Sequence, residues 1–321
     1  MTRIAYLGPE GTFTEAALLQ ITAAGLVPKQ GPDGLQPLSI ESTPAALDAV
    51  RDRDADYACV PIENSIDGSV TPTLDSLAMG SPLQVFAETT LDITFSIVVK
   101  HGRSAADVRT LAAFSVASAQ VRRWVAANLS GAALQPAYSN GDAARQVAEG
   151  QADAAVTSPL AATHWGLDTL ADGVVDEPNA RTRFVLVGPP GPPPARTGAD
   201  RTSVVLRIDN APGALLAALA EFGIRGIDLT RIESRPTRTG LGTYVFFTDC
   251  VGHIDDDAVA EALKALHRRC VDVRYLGSWP MGSPAGVIPP PADEASRWLA
   301  RLREGESEQA ANKAEAGGFV S

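Results

Sequence analysis

The sequence predicts a two-lobed α/β domain followed by a small ferredoxin-like α+β domain. Three observations carry this. Up to residue 188, short apolar runs alternate with helical patterns, and several runs end in hydroxyl or amide residues just before a helix. Gly188-Pro189-Pro190-Gly191-Pro192-Pro193-Pro194 then interrupts the chain with a stretch that forms neither ladder nor helix, the mark of a semi-rigid linker. Beyond it the patterns run β-α-β-β-α-β, the ferredoxin-like plan. The expected division is 1–188 for the first domain, 189–200 for the linker, 201–280 for the second domain and 281–321 for a flexible tail.

In chain order, residues 3–7 read as a strand broken by Gly8-Pro9-Glu10-Gly11. Thr12 caps a helix carrying Ala16, Ala17, Leu18, Leu19 and Ile21. Leu38-Ser39-Ile40 is a second strand, and Thr43-Pro44 opens a helix with Ala46, Leu47 and Val50 on one face. Tyr57-Ala58-Cys59-Val60-Pro61-Ile62 is a third strand, ending in the polar Glu63-Asn64-Ser65. Residues 72–79 read as a helix, and residues 85–99 are strand-rich and cross into a second lobe. Val116-Ala117-Ser118-Ala119-Gln120 reads as a strand end opening a helix through Val121, Trp124 and Val125. Ala137-Tyr138-Ser139-Asn140-Gly141 and Ala154-Ala155-Val156-Thr157-Ser158-Pro159 repeat that arrangement. Such alternation predicts parallel sheet units. In the second domain, strands are expected over 203–208, 228–234, 243–248 and 271–276, with helices over 214–222 and after Asp255-Asp256-Asp257. Residues 297–303 read as a short helix within the tail.

Composition narrows the function classes. The 321 residues, 45% hydrophobic and 20% charged, suffice for a sizeable core and about two domains. A net charge of −11 argues against nucleic acid or an anionic membrane as the main partner. Cys59, Cys250 and Cys270 are an odd number without close spacing, which points to free thiols in a reducing, cytoplasmic compartment. The four histidines show no ligand spacing, so no metal is expected. No apolar run reaches the length of a membrane span, and the N-terminus reads at once as a strand.

Candidate site residues cluster at strand ends. Asn179-Ala180-Arg181-Thr182-Arg183-Phe184 places an amide, a hydroxyl and two guanidinium groups ahead of an apolar strand. A hydroxyl between cations can donate to a departing oxygen while cations hold an anion. The plainer reading is a loop with solvated arginines and Phe184 in the core. Glu63, Asn64 and Ser65 lie just past the carboxyl end of a buried strand, where open α/β sheets bind ligands, but they also suit turn chemistry. The amides of helices beginning after Thr12, Ser118 and Ser139 suit an anion, although single Ser and Asn residues there are by default caps.

Together these motifs resemble the prephenate dehydratase family, over almost the whole chain except the tail. Gly8-Pro9-Glu10-Gly11-Thr12-Phe13, Pro61-Ile62-Glu63-Asn64-Ser65 and Thr182-Arg183-Phe184 look like its signature blocks, in order. The C-terminal part resembles an ACT regulatory domain, with Gly213-Ala214-Leu215 and Glu233-Ser234-Arg235-Pro236 matching stretches associated with phenylalanine binding. One block departs from the pattern: many members carry Ser-His-Pro-Gln where this chain has Ala117-Ser118-Ala119-Gln120, so only Gln120 carries over.

The resemblance implies a catalytic domain of type 2 periplasmic-binding-protein-like fold, with prephenate in the cleft between its lobes, and an ACT domain that senses L-phenylalanine. It implies catalytic roles for Thr182, Arg183, Glu63 and Asn64, and substrate contacts from Thr12, Ser65, Gln120, Ser139, Asn179 and Phe184. It implies phenylalanine contacts from Asn210, Ala211, Gly213, Ala214, Leu215, Glu233, Ser234 and Arg235. Aromatisation supplies the driving force, so no cofactor is expected. Arg183 is either a carboxylate ligand or a fixed ion-pair partner. Two rival readings stay open: a dehydratase acting on arogenate, and a non-catalytic solute-binding protein. The implied partners are prephenate, phenylalanine and a second copy of the chain, in a homodimer or homotetramer joined through ACT domains.

Overall fold

The computed structural model describes residues 1–305 apart from Gln30, Pro32, Asp33, Pro178, Thr239, Leu241, 283–285 and 289–292. The chain folds as two compact units, the first holding Met1–Pro194 together with Met281 and Gly282, the second holding Ala195–Pro280 and a helix beyond it.

The first unit opens with β1 (Thr2–Leu7), α1 (Phe13–Ala23), β2 (Leu35–Ile40), α2 (Thr43–Arg51), β3 (Tyr57–Asn64), β4 (Gly68–Ser69), α3 (Thr71–Ala78) and β5 (Gln84–Asp92). Thr12 caps α1 by accepting from the Glu15 amide, and Ser42 caps α2, which has Pro in its first turn. A second lobe follows: β6 (Phe95–Val99), β7 (Thr110–Phe114), α4 (Ser115–Gln120), α5 (Arg122–Asn128), β8 (Ala133–Ala137), α6 (Asn140–Glu149), β9 (Ala154–Thr157), α7 (Pro159–His164) and β10 (Asp168–Val174). The chain then returns to the first lobe as β11 (Arg181–Gly188).

The strand order is β2-β1-β3-β11-β5 in the first sheet and β10-β6-β9-β7-β8 in the second. These sheets are mixed rather than parallel. β1 pairs in parallel with β2 and β3, but β11 is antiparallel to both β3 and β5. The second sheet likewise joins parallel β7–β8 to antiparallel β6–β9. The crossover explains this: a strand that leaves for the second lobe and one that comes back from it run in opposite senses.

One segment departs from the sequence pattern more sharply. Val116 to Gln120 is helical, not a strand end, and Ser118 lies inside α4, bonded to the Ser115 carbonyl. Ser118 opens neither α4, which starts at Ser115, nor α5, which starts at Arg122, so the helix start expected after Ser118 is not there. The strand pattern there belongs to β7, just upstream.

Apolar alternation on these strands builds the cores. Ile4, Tyr6, Leu18, Ile21, Cys59, Phe184 and Leu186 are buried together in the first lobe. Phe95, Ile97, Leu111 and Val156 form one side of the second sheet, and Val98, Ala112, Val147 and Ala155 the other. Each large side chain so buried stabilises the fold by roughly 1.5–3 kcal/mol.

The second unit comprises β12 (Asp200–Arg207), α8 (Ala214–Gly223), β13 (Leu229–Pro236), β14 (Tyr244–Val251), α9 (Asp257–Arg269), β15 (Asp272–Pro280) and α10 (Asp293–Arg303). Its antiparallel sheet runs β13-β14-β12-β15, the ferredoxin-like order. Val204, Leu206, Phe222, Val259 and Leu266 are its core. Of the tail, α10 extends the helix expected over 297–303, and residues 306–321 lie outside the described residues. No described helix is long and apolar enough to cross a membrane.

Candidate active site and effector cavity

A cavity of about 1100 Å³ lies between the two lobes of the first unit. The first lobe contributes Gly8 to Glu10, Thr12 to Thr14, Ser39 to Glu41, Pro61, Asn64, Val70, Thr182 and Phe184. The second contributes Phe114, Val116, Tyr138 to Asp142, Arg145 and Trp165. The β1–α1 loop is held hard against the second lobe. A side chain on Gly141 would stand 2.3 Å from the Glu10 carbonyl oxygen, so only glycine admits that approach. The Ser158 hydroxyl donates to the Gly11 carbonyl from the same side.

Thr182 is fixed within this wall. Asn64 accepts the amides of Ile66 and Asp67 on Oδ1 at 2.8 and 2.9 Å, which settles the orientation of its carboxamide. Its Nδ2 then donates to Thr182 Oγ1 at 2.9 Å. With Thr182 accepting from Asn64, its own O–H is left to donate toward the cavity.

The pleat of β11 separates Arg183 from that face. Thr182 and Phe184 line the cavity, and Arg183 between them projects to the other side. There it is 7% exposed and pairs with Glu88 at 3.2 Å and Glu63 at 2.9 Å. Of the two roles open to Arg183, the geometry is that of the fixed ion pair. Glu63, expected beside Asn64 in the site, faces Arg183 for the same reason: neighbours on a strand point to opposite faces. Ser65 and Asn179 also stand apart from the cavity lining. The Ser65 hydroxyl donates to the Asn179 carbonyl and accepts from the Arg181 amide, so both tie the entry of β11 to the end of β3. Asn179 holds φ 75°, a left-handed turn that Asn tolerates. Gln120 lines a neighbouring cavity of about 730 Å³ with Arg122 and Arg123. Val116 borders both cavities, so the two adjoin.

Thr12, Asn64, Ser139, Thr182 and Phe184 are thus the expected site residues brought together. Ser139 caps α6 by accepting from the Asp142 amide at 3.0 Å. Sequence reasoning missed Arg145, which lines the cavity one turn further on and pairs with Asp142 at 2.6 Å and Glu149 at 2.7 Å. The spacing of Asp142, Arg145 and Glu149 on a helix opened by Ser139 was a usable signal. Burial pushes the Asp142 carboxyl up, but the Tyr138 amide, Arg145 and Gln146 outweigh it and hold its pKa below the ordinary carboxylate value. Trp165 and Ser39 had no signal, since nothing local marks a wall residue. Burial pushes the Cys59 thiol far up, so it stays protonated in the core. Among the described residues, no cluster of His, Cys, Asp or Glu is arranged to hold a metal.

The second unit has its own cavity of about 350 Å³, lined by Asn210, Ala211, Ala214 and Leu215 on one side and Gly242 to Tyr244 on the other. Gly213 caps α8 at φ 79° with no side-chain hydrogen bond. Gly213 itself is not in the lining, nor are Glu233, Ser234 and Arg235. Those three lie along β13, opposite Phe247, Phe246 and Val245.

Fold and site define a two-lobed α/β enzyme, with a ligand-sized interlobe cleft, carrying a small sensor domain of ferredoxin-like plan. The family model for prephenate dehydratase matches residues 4–191, and that for the ACT domain matches residues 202–268. A prephenate dehydratase of Mycobacterium avium is 84% identical over 308 residues, spanning 96% of this chain and 98% of that one. One from Mycobacterium tuberculosis is 80% identical over 309 residues, 96% of each chain. The crystal structure of an Arthrobacter aurescens prephenate dehydratase in complex with L-Phe superposes with a TM-score of 0.82 at 40% identity, covering 94% of this chain and 100% of that one. The chain belongs to the prephenate dehydratase family.

Proposed function

We infer that this chain converts prephenate to phenylpyruvate in the interlobe cavity and that phenylalanine controls it through the second unit. The ring carboxylate leaves as carbon dioxide, its bonding electrons pass through the ring, and the hydroxyl on the opposite ring carbon departs as hydroxide, which takes a proton from solvent. One observation carries the reading: Thr182 accepts from Asn64, so its hydroxyl is presented to the cavity as a donor. Such a donor stabilises negative charge on the departing oxygen. A threonine hydroxyl is a weak acid, so hydrogen-bond polarisation suffices for this role. Arg145 and the first amides of α1 and α6, which border the same cavity, suit the two carboxylates of the substrate.

Incubation with prephenate, followed by phenylpyruvate absorbance, tests the assignment. Arogenate run in parallel separates a keto from an amino side chain. No turnover of either substrate overturns the reading.

The solved relative that holds L-Phe supports phenylalanine as effector, at the cavity lined by Asn210, Ala211, Ala214 and Leu215. The exposed apolar Leu216 and Ile224 of the second unit, together with Ile232 on the edge strand β13, favour a homodimer or homotetramer paired through ACT domains. Three free cysteines suit the cytoplasm.

A further inference from the structure

The buried carboxylate of Glu88 serves two masters. Glu88 lies on β5, is 2% exposed, and divides its oxygens. Oε2 pairs with Arg183 Nη1 at 3.2 Å. Oε1 accepts the backbone amide of Gly282 at 3.0 Å. Gly282 follows β15 by two residues, so it is the point at which the chain, having completed the regulatory sheet, re-enters the catalytic unit. The approach is close: a Cβ on Gly282 would stand 3.1 Å from the Glu88 carbonyl oxygen and 3.2 Å from Thr89 Cα. Both neighbours are backbone of a strand and yield little.

From Glu88 the path to the reacting group is short. Arg183 sits between Thr182 and Phe184, both in the cavity wall. Its other nitrogen, Nη2, holds Glu63 at 2.9 Å, and the next residue, Asn64, holds Thr182 at 2.9 Å. A buried carboxylate tolerates desolvation only while its partners remain in place. Withdrawing the Gly282 amide therefore takes one of these partners from Glu88, and as the carboxylate re-seats the guanidinium paired with it shifts too. Thr182 is carried on the same strand.

We propose that Glu88 is a positioning residue that couples the segment leaving the regulatory domain, through Gly282, to Arg183 and so to the Thr182 hydroxyl. The inference rests on the reading that phenylalanine regulates this chain. It gives that regulation a route: any change that pulls on the end of β15 is felt at Glu88 before it is felt in the cleft.

The test compares wild type, Gly282→Ala and Glu88→Gln in the full chain. Circular dichroism and thermal melts serve as the folding check. Gly282→Ala disturbs the link from its regulatory end, so it should lower uninhibited turnover less than Glu88→Gln does and still bind phenylalanine by calorimetry. Its half-inhibiting phenylalanine concentration should rise by about tenfold, within the usual span of allosteric coupling. Glu88→Gln keeps the shape and an acceptor for Gly282 but removes the charge facing Arg183. It should lower kcat by about tenfold with KM little changed, since a positioning defect acts on the reacting geometry rather than on substrate affinity. Wild-type sensitivity in folded Gly282→Ala, or wild-type kcat in folded Glu88→Gln, overturns the relay alone. A wild type indifferent to phenylalanine overturns the regulatory reading and the relay with it. If Gly282→Ala melts early, Glu88→Gln decides by its split between kcat and KM.

Discussion

The interlobe cavity and the cavity of the second unit use the same element, the first turn of a helix after a strand, in different ways. At the interlobe cavity, α1 and α6 are capped by Thr12 and Ser139, whose hydroxyls already accept amides of their own helices. At the cavity of the second unit, α8 is capped by Gly213, which offers no side chain, and the Ala214 amide donates to the Ala211 carbonyl instead. A side chain added at Gly213 would meet nothing within 4 Å. The difference teaches that side-chain hydroxyls fix the helix starts at the interlobe cavity, whereas at the second cavity the backbone alone shapes the turn into α8.

The sharpest way to break this comparison lies at the interlobe cavity. Thr182→Ala deletes a hydroxyl at the cavity wall and should lower turnover by about 10²–10⁴, the range for a positioned acid–base group. The melting curve should hardly move, and near-normal production of phenylpyruvate would take Thr182 out of the mechanism. Arg183→Met probes the opposite face of the same strand. It takes the guanidinium away from the buried Glu88 carboxylate, and should cost about 3–5 kcal/mol of stability. Denaturant unfolding that gives a loss below 1 kcal/mol would mean that the ion pair does not hold β11 in place.

Much of this was legible beforehand, and the failures have a common cause. Thr12, Ser139 and Pro44 announced helix starts because caps are local chemistry, fixed by two or three neighbouring residues. Asn64 and Thr182 were legible as site candidates because polar residues at the ends of apolar strands are conspicuous. What escaped depended on partners far along the chain. Which face of β11 carries Arg183 is set by pairing with β3 and β5, not by the six residues around it. Val116 to Gln120 reads as β-branched and apolar at its start, yet the preceding Thr110–Phe114 already fills the sheet position, and the remainder coils into α4. Trp165 and Arg145 reach the cleft only because α7 and α6 are laid against it.

At the regulatory cavity the comparison is sharpened by Gly213→Val. A β-branched residue is strained at φ 79° and would distort the turn that sets Ala214 and Leu215 in the cavity lining. Half-inhibition should move to phenylalanine concentrations higher by about tenfold or more, with uninhibited turnover largely kept. Unchanged inhibition would remove that loop from the effector site.

The smallest expected effect is in pH. The folded state holds the Asp142 pKa below its ordinary value, chiefly because the Tyr138, Arg145 and Gln146 hydrogen bonds overcome the opposing effect of burial. The stabilisation is therefore complete above the unfolded pKa and is lost as pH falls through the folded one. Asp142→Asn should flatten the acid limb of the stability profile below about pH 4, where an unfolded Asp titrates. An unaltered acid limb in urea titrations would show that Asp142 contributes nothing there.

The order of strands in the first sheet also dictates the order in which the molecule can be made. β11 lies between β3 and β5, but it is synthesised after the whole second lobe. Until residue 188 has left the ribosome, β3 and β5 each present an unpaired edge, with a strand-wide gap between them. The second lobe, by contrast, runs as a continuous stretch from β6 to β10 and can close on itself while the first waits. The nascent chain therefore carries a finished lobe beside an unfinished one, and a stalled or truncated product ending before β11 exposes two sticky edges at once. The last strand to arrive brings Thr182 with it, so closing the sheet and placing that hydroxyl in the cavity wall are one event.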